Sequence, residues 1–147
     1  MTIVVFRDGV MAADSLATNH HNARVGKIRK LARRDSDGAL AGVAGFAGDC
    51  TDFLAWFLRN KEAQSWKGAD EENGFSGLVA FPDGRVVCCD VSGRFYGIDA
   101  PFHARGSAQA MAIGALAIGA SAEEAVKACI DFDIHCGGPV QRERHRK

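Results

Sequence analysis

The chain has 147 residues, of which 47% are hydrophobic and 24% charged, and its 18 basic side chains are balanced by 18 acidic ones. That length suits one domain (1–147) with a substantial core, and the composition excludes disordered and fibrous classes. A balanced charge produces no whole-chain field toward nucleic acid or an anionic surface, so neither nucleic acid nor membrane is expected as a partner.

The opening "TIVVF" reads as a strand, and it meets Arg7-Asp8 too soon to form a secretory core. Asp8-Gly9 suits a tight hairpin into "GVMAA". The segment "RVGKIRKLARR" alternates as one strand, turns at "DSDG", and is followed by the apolar strand "ALAGVAG". Asp49 and Thr51 can cap a helix "TDFLAWFLRNKEAQ", with Phe53, Leu54, Phe57 and Leu58 on one face. "SWKGADEENG" is polar and glycine-bearing, a connection.

The second half runs "FSGLVAF", turn, "RVVCCDV", turn, "RFYGI", the pattern of an antiparallel meander. A short strand "FHARG" then meets Ser107, placed to cap "AQAMAIGALAIGA", which is shorter than the roughly 20 apolar residues that span a bilayer. Ser121 and Glu124 form a capping box for "AEEAVKACIDFD". The tail "QRERHRK" reads as a solvated terminus. Helices covering short-strand sheets indicate a layered α+β architecture.

Five cysteines (Cys50, Cys88, Cys89, Cys129 and Cys136) are an odd number without paired spacing, the pattern of reduced thiols in a cytoplasmic protein. Cys88 and Cys89 adjoin on a strand and so face opposite sides. His20 and His21 likewise point apart on an extended segment, and no metal or other cofactor is expected. Thr2, directly behind Met1, has two readings. It is either the first residue of an edge strand, or a residue whose hydroxyl and α-amine act together as nucleophile and base once Met1 is removed.

Four stretches in this order, "MTIVVFRDGVMAADS", "VGKIRKL", "AGFAGDCTDFLAWFL" and "GSAQAMAIGAL" with "DFDIHCGG", resemble proteasome β-subunits, the bacterial heat-shock-locus peptidase, and the short proteasome-like proteins of bacteria and phages. The resemblance implies an N-terminal nucleophile hydrolase, a four-layer αββα sandwich whose nucleophile is exposed by processing. It places Thr2 at the nucleophile, with Asp14 and Lys27 at the two charged positions beside it. Gly45 falls where a backbone N–H faces the tetrahedral oxyanion, and Ser107 and Asp133 match the pair that supports the amine. Cys136 stands where the family usually has serine, and a thiol is the weaker donor.

The chemistry is consistent with that placement. An α-amine with an ordinary pKa of about 7.7–8.0 is suited to take the hydroxyl proton. A nearby ammonium favours the neutral amine and the developing alkoxide, and a carboxylate holds that ammonium charged. The chain departs from its relatives in a second helix cut to a stub and in a shortened C-terminal end. The resemblance further implies a homo-oligomer acting on peptide or unfolded protein, with any ATPase unfoldase supplied as a separate protein. Three functions stay open: a threonine peptidase working through an acyl-enzyme, a small-amide hydrolase of the same superfamily, and a catalytically silent ring or scaffold.

Overall fold

The computed structural model describes residues 2–18, 23–59, 65–69 and 74–145. β1 (Ile3–Arg7) turns back into β2 (Val10–Ala13) through Asp8 and Gly9, whose φ values of 53° and 77° are both positive. That backbone twist matches the twist of the paired strands, which is why Asp-Gly serves there. β3 (Leu16–Thr18) and β4 (Arg24–Lys27) form a separate two-stranded ribbon.

β5 (Leu31–Arg33), β6 (Leu40–Gly45), β7 (Phe75–Ala80), β8 (Val86–Cys89) and β9 (Phe95–Gly97) pair antiparallel in chain order as a five-stranded sheet. β10 (His103–Gly106) joins β1, and β11 (Gln141–Arg144) joins β2, so the second sheet runs β10-β1-β2-β11. α1 (Ala47–Arg59) covers the five-stranded sheet, while α2 (Gln109–Ala117) and α3 (Ala122–Phe132) cover the four-stranded one.

Strand alternation sorts the apolar residues into three buried layers. Val4, Met11, Leu31, Leu40, Leu78 and Cys88 fill the space between the sheets. Ile3, Val5 and Ala12 point the other way, against Leu116, Val126 and Cys129 of α2 and α3. Val43, Val79 and Cys89 meet Phe53 and Phe57 of α1 on the outer face of the larger sheet. Cys88 and Cys89 therefore serve different cores, as adjacent strand residues must. The result is the four-layer αββα sandwich expected from the sequence.

Several elements differ from their sequence-based expectation. "RVGKIRKLARR" is two strands in two sheets, because residues 28–30 leave the β3–β4 ribbon and cross to the five-stranded sheet. α1 begins at Ala47, ahead of both proposed caps, and Leu58 is 52% exposed on its outer side. Trp66, in the expected polar connection, is buried edge-on against Phe53 with ring centroids 5.1 Å apart.

Ser107 does not cap α2, whose N-cap residue is Ala108 without a side-chain bond. Ser121 does cap α3, with both bonds of its capping box to Glu124 formed. The tail is not simply a solvated terminus, since Gln141–Arg144 returns to the sheet as β11. Of the region expected to hold a shortened second helix, 65–69 is irregular, and 60–64 and 70–73 lie outside the described residues. His20 and His21 lie outside them as well.

Candidate active site

Three polar side chains lie where apolar ones would be expected. Thr2, immediately before β1, is 1% exposed, and Asp14, just past β2, and Lys30, just before β5, are both fully buried. Each is held by the others. The Lys30 ammonium donates to Thr2 Oγ1 at 2.5 Å and to Asp14 Oδ1 at 2.7 Å. The Thr2 hydroxyl donates to the same Asp14 oxygen, which also accepts the Ile3 amide at 3.2 Å. Gly137 N–H donates to Asp14 Oδ2 at 3.1 Å, so both carboxylate oxygens are satisfied. A buried ion pair is tolerable only with such additional hydrogen bonds.

The lysine of this cluster is Lys30 and not Lys27. Lys27 is exposed on β4, paired across the ribbon with Leu16. The crossing at residues 28–30 carries Lys30 inward instead. Its N–H donates to Gln141 Oε1 at 2.9 Å, and its carbonyl accepts the Val43 amide at 3.0 Å. "VGKIRK" offers several cations in a short run, and no periodicity shows which one a later crossover will bury.

The cluster opens on a cavity of about 240 Å³, lined by Thr2, Ala44, Gly45, Gly74, Phe75, Ser76, Gly106 and Ser107. Gly45 ends β6 at φ 152°, and a Cβ there would stand 3.0 Å from the Gly74 carbonyl oxygen. Only a residue without a side chain lets the backbone come so near the opening. At Gly106, φ 127°, an added Cβ would collide with the Thr2 carbonyl, so glycine there allows β10 to pass close beside β1.

Ser107 belongs to the site, since its Oγ accepts the Thr2 N–H at 3.1 Å. Spent on that bond, the hydroxyl is not used as a helix cap. Asp133 does not join this group. Its Oδ1 accepts the His135 amide at 2.7 Å in the loop after α3, and among the described residues no hydrogen bond links it to Ser107 or Thr2. Cys136 is 2% exposed in the apolar layer with Ile3, Ala108 and Cys129, and it does not extend the hydrogen-bond network expected of it. Burial first, and then the charges of Asp14 and Asp133, push its thiol up to about 12. It is a neutral packing residue at ordinary pH.

Sequence reasoning missed two further participants, Ser15 and Gln141. Ser15 Oγ donates to the Pro139 carbonyl at 2.5 Å, and Gln141 Nε2 donates to Ser15 Oγ at 3.0 Å. Ser15 ends the first resembling stretch without a role of its own there, and a glutamine inside a basic tail gives no reason to suspect a partner in the core. No metal-binding group of three or more His, Cys, Asp or Glu occurs among the described residues.

The architecture defines the class of fold: a four-layer αββα sandwich. Among solved structures it is similar to eukaryotic HslV from Trypanosoma brucei, with a TM-score of 0.67 and 19% identity, covering 98% of this chain and 99% of that one. No family model matches the sequence, and no curated protein matches it.

Proposed function

We propose that the chain is a threonine-type peptidase of the proteasome-like kind, with Thr2 as nucleophile after removal of Met1. The observation that carries this reading is the buried Thr2–Asp14–Lys30 cluster opening onto a cavity edged by Gly45. A hydroxyl enclosed by an ammonium and a carboxylate, at the mouth of a cavity, has little structural purpose and a clear chemical one.

In this mechanism the freed α-amine of Thr2, resting on Ser107, takes the hydroxyl proton. Oγ1 bonds to the substrate carbonyl carbon, and the carbonyl electron pair moves onto its oxygen, toward the Gly45 N–H. Lys30, 2.5 Å from Oγ1, stabilises the negative charge that develops there, and Asp14 keeps the ammonium in place. Such preorganised charges act strongly where side chains are withdrawn from solvent, and Thr2, Asp14 and Lys30 are all buried. The C–N bond then breaks as the ammonium of Thr2 returns its proton to the leaving amine. Water hydrolyses the resulting ester by the same proton route, regenerating the hydroxyl.

The substrate class under this reading is peptide or unfolded protein, cut within a homo-oligomer and delivered, where an ATPase unfoldase takes part, by a separate protein. The test is intact-mass measurement of the purified protein before and after incubation with a peptide epoxyketone. That reagent needs a hydroxyl and a free amine on one residue. Loss of Met1 and a single adduct on Thr2 are expected. Full peptidase activity with Met1 still attached would overturn the mechanism, because the base would then be a peptide nitrogen.

A further inference from the structure

Gln141 is the first residue of β11, and among the described residues no hydrogen bond links its side chain to the Thr2 hydroxyl or the Lys30 ammonium. Its amide nevertheless reaches both segments that carry the charged pair. Nε2 donates to the Ile28 carbonyl at 2.6 Å, to Ser15 Oγ at 3.0 Å, and at the limit of hydrogen bonding to the Asp14 carbonyl at 3.5 Å. Oε1 accepts the Lys30 N–H at 2.9 Å. One side chain thus ties the residue following β2 to the irregular crossing 28–30.

Among the described residues no strand pairs with the crossing 28–30. Ile28 N–H donates to the Ser15 carbonyl at 2.9 Å and the Lys30 carbonyl accepts the Val43 amide at 3.0 Å, while the Ile28 carbonyl and the Lys30 N–H between them turn to the glutamine. Buried backbone groups without partners are costly, so the path of the crossing depends on what satisfies them. The path in turn sets the height of the Lys30 ammonium above Thr2 Oγ1. A glutamine supplies a donor and an acceptor on one planar group, the combination needed to clamp a carbonyl and an N–H two residues apart.

We infer that Gln141 is a positioning residue for the Thr2 hydroxyl, acting through the backbone of residues 28–30 to hold Lys30 against it. The inference rests on the reading of Thr2 as the reactive group. It gives the C-terminal strand a role in the chemistry in addition to its place at the sheet edge. Arg142, its neighbour on the same strand, is the natural control, since its guanidinium pairs with Glu123 on the surface at 3.1 Å.

The experiment compares wild type, Gln141→Met, Gln141→Glu and Arg142→Ala, each confirmed to unfold cooperatively. It measures the rate of Thr2 acylation by a peptide β-lactone across pH, together with kcat and KM on one peptide. Gln141→Met keeps the shape and loses every bond. Its acylation rate and kcat should fall by about 10- to 100-fold, the usual consequence of misplacing a catalytic group by an ångström or so. KM should hold, and the pH midpoint of acylation should move.

Gln141→Glu keeps the acceptor for Lys30 N–H and loses the donor, so its loss should be smaller and should diminish as falling pH protonates the new carboxylate. That variant carries the test if Gln141→Met does not fold. Arg142→Ala should match wild type. An unchanged acylation rate and pH profile in both Gln141 variants would overturn the inference, as would an equal loss in Arg142→Ala. A wild-type protein that is not acylated at Thr2 would instead remove the peptidase reading, and the inference with it.

Discussion

Replacing Lys30 by methionine separates the two lysines that sequence and structure put forward. The substitution keeps an unbranched side chain of similar length and removes the charge. Asp14, fully buried, then loses its ion pair at 2.7 Å but keeps the Thr2 hydroxyl, the Ile3 amide at 3.2 Å and the Gly137 amide at 3.1 Å. Removing one partner of a buried pair typically costs about 3–5 kcal/mol, and three surviving donors place this case near 3 kcal/mol. Under the proposed mechanism, loss of a preorganised charge beside Thr2 Oγ1 should lower kcat by about 10²–10³-fold.

Lys27→Ala is the contrasting variant. Lys27 is exposed, so its removal should change stability by no more than about 0.5 kcal/mol and leave turnover intact. Urea unfolding gives the first quantity and single-turnover cleavage of one peptide gives the second. A silent Lys27→Ala protein beside an active Lys30→Met protein would refute the placement of the ammonium, and with it the path of residues 28–30.

Gly106→Ala should destabilise the protein by at least about 1–3 kcal/mol and slow Thr2 acylation, because the new methyl collides with the Thr2 carbonyl; thermal unfolding together with adduct formation checks both effects. The buried thiols should make the protein sensitive to alkali. Burial pushes Cys50, Cys89 and Cys136 up to about 12 and Cys129 to about 11. The folded state keeps these protons while the unfolded chain releases them above pH 9, so their contribution is whole below that pH and is lost as pH rises toward 12. The slope is about 1.4 kcal/mol per pH unit for each such thiol. Urea midpoints in steps from pH 8 to pH 11 would show the decline, and substituting Cys136 by alanine should lessen its steepness.

Local signals made much of this molecule legible before its structure. Asp8-Gly9 demanded a two-residue hairpin, alternation marked the strands of the meander, and Ser121 with Glu124 announced the start of α3. Each depends on residues a few positions apart, where the backbone geometry follows directly from side-chain chemistry. Short motifs singled out Thr2, Asp14, Gly45 and Ser107 through their resemblance, and the structure places Thr2, Gly45 and Ser107 around one opening, with Asp14 behind Thr2 accepting its hydroxyl.

What tertiary structure alone decided was the choice among chemically equal candidates. Arg24, Lys27, Arg29 and Lys30 are interchangeable cations in a one-dimensional pattern, and only the crossing from the β3–β4 ribbon to β5 buries the last of them. Ser107 satisfies the rule for a helix cap, yet its hydroxyl goes to the Thr2 N–H, a partner 105 residues away in sequence. Asp133 and Cys136 lie near the right place in the chain, but the loop after α3 directs the carboxylate to His135 and the thiol into an apolar layer. Gln141 lies 111 residues from the backbone it holds at Lys30. Such contacts form only when distant segments fold together, and no local periodicity encodes which buried polar group will meet which.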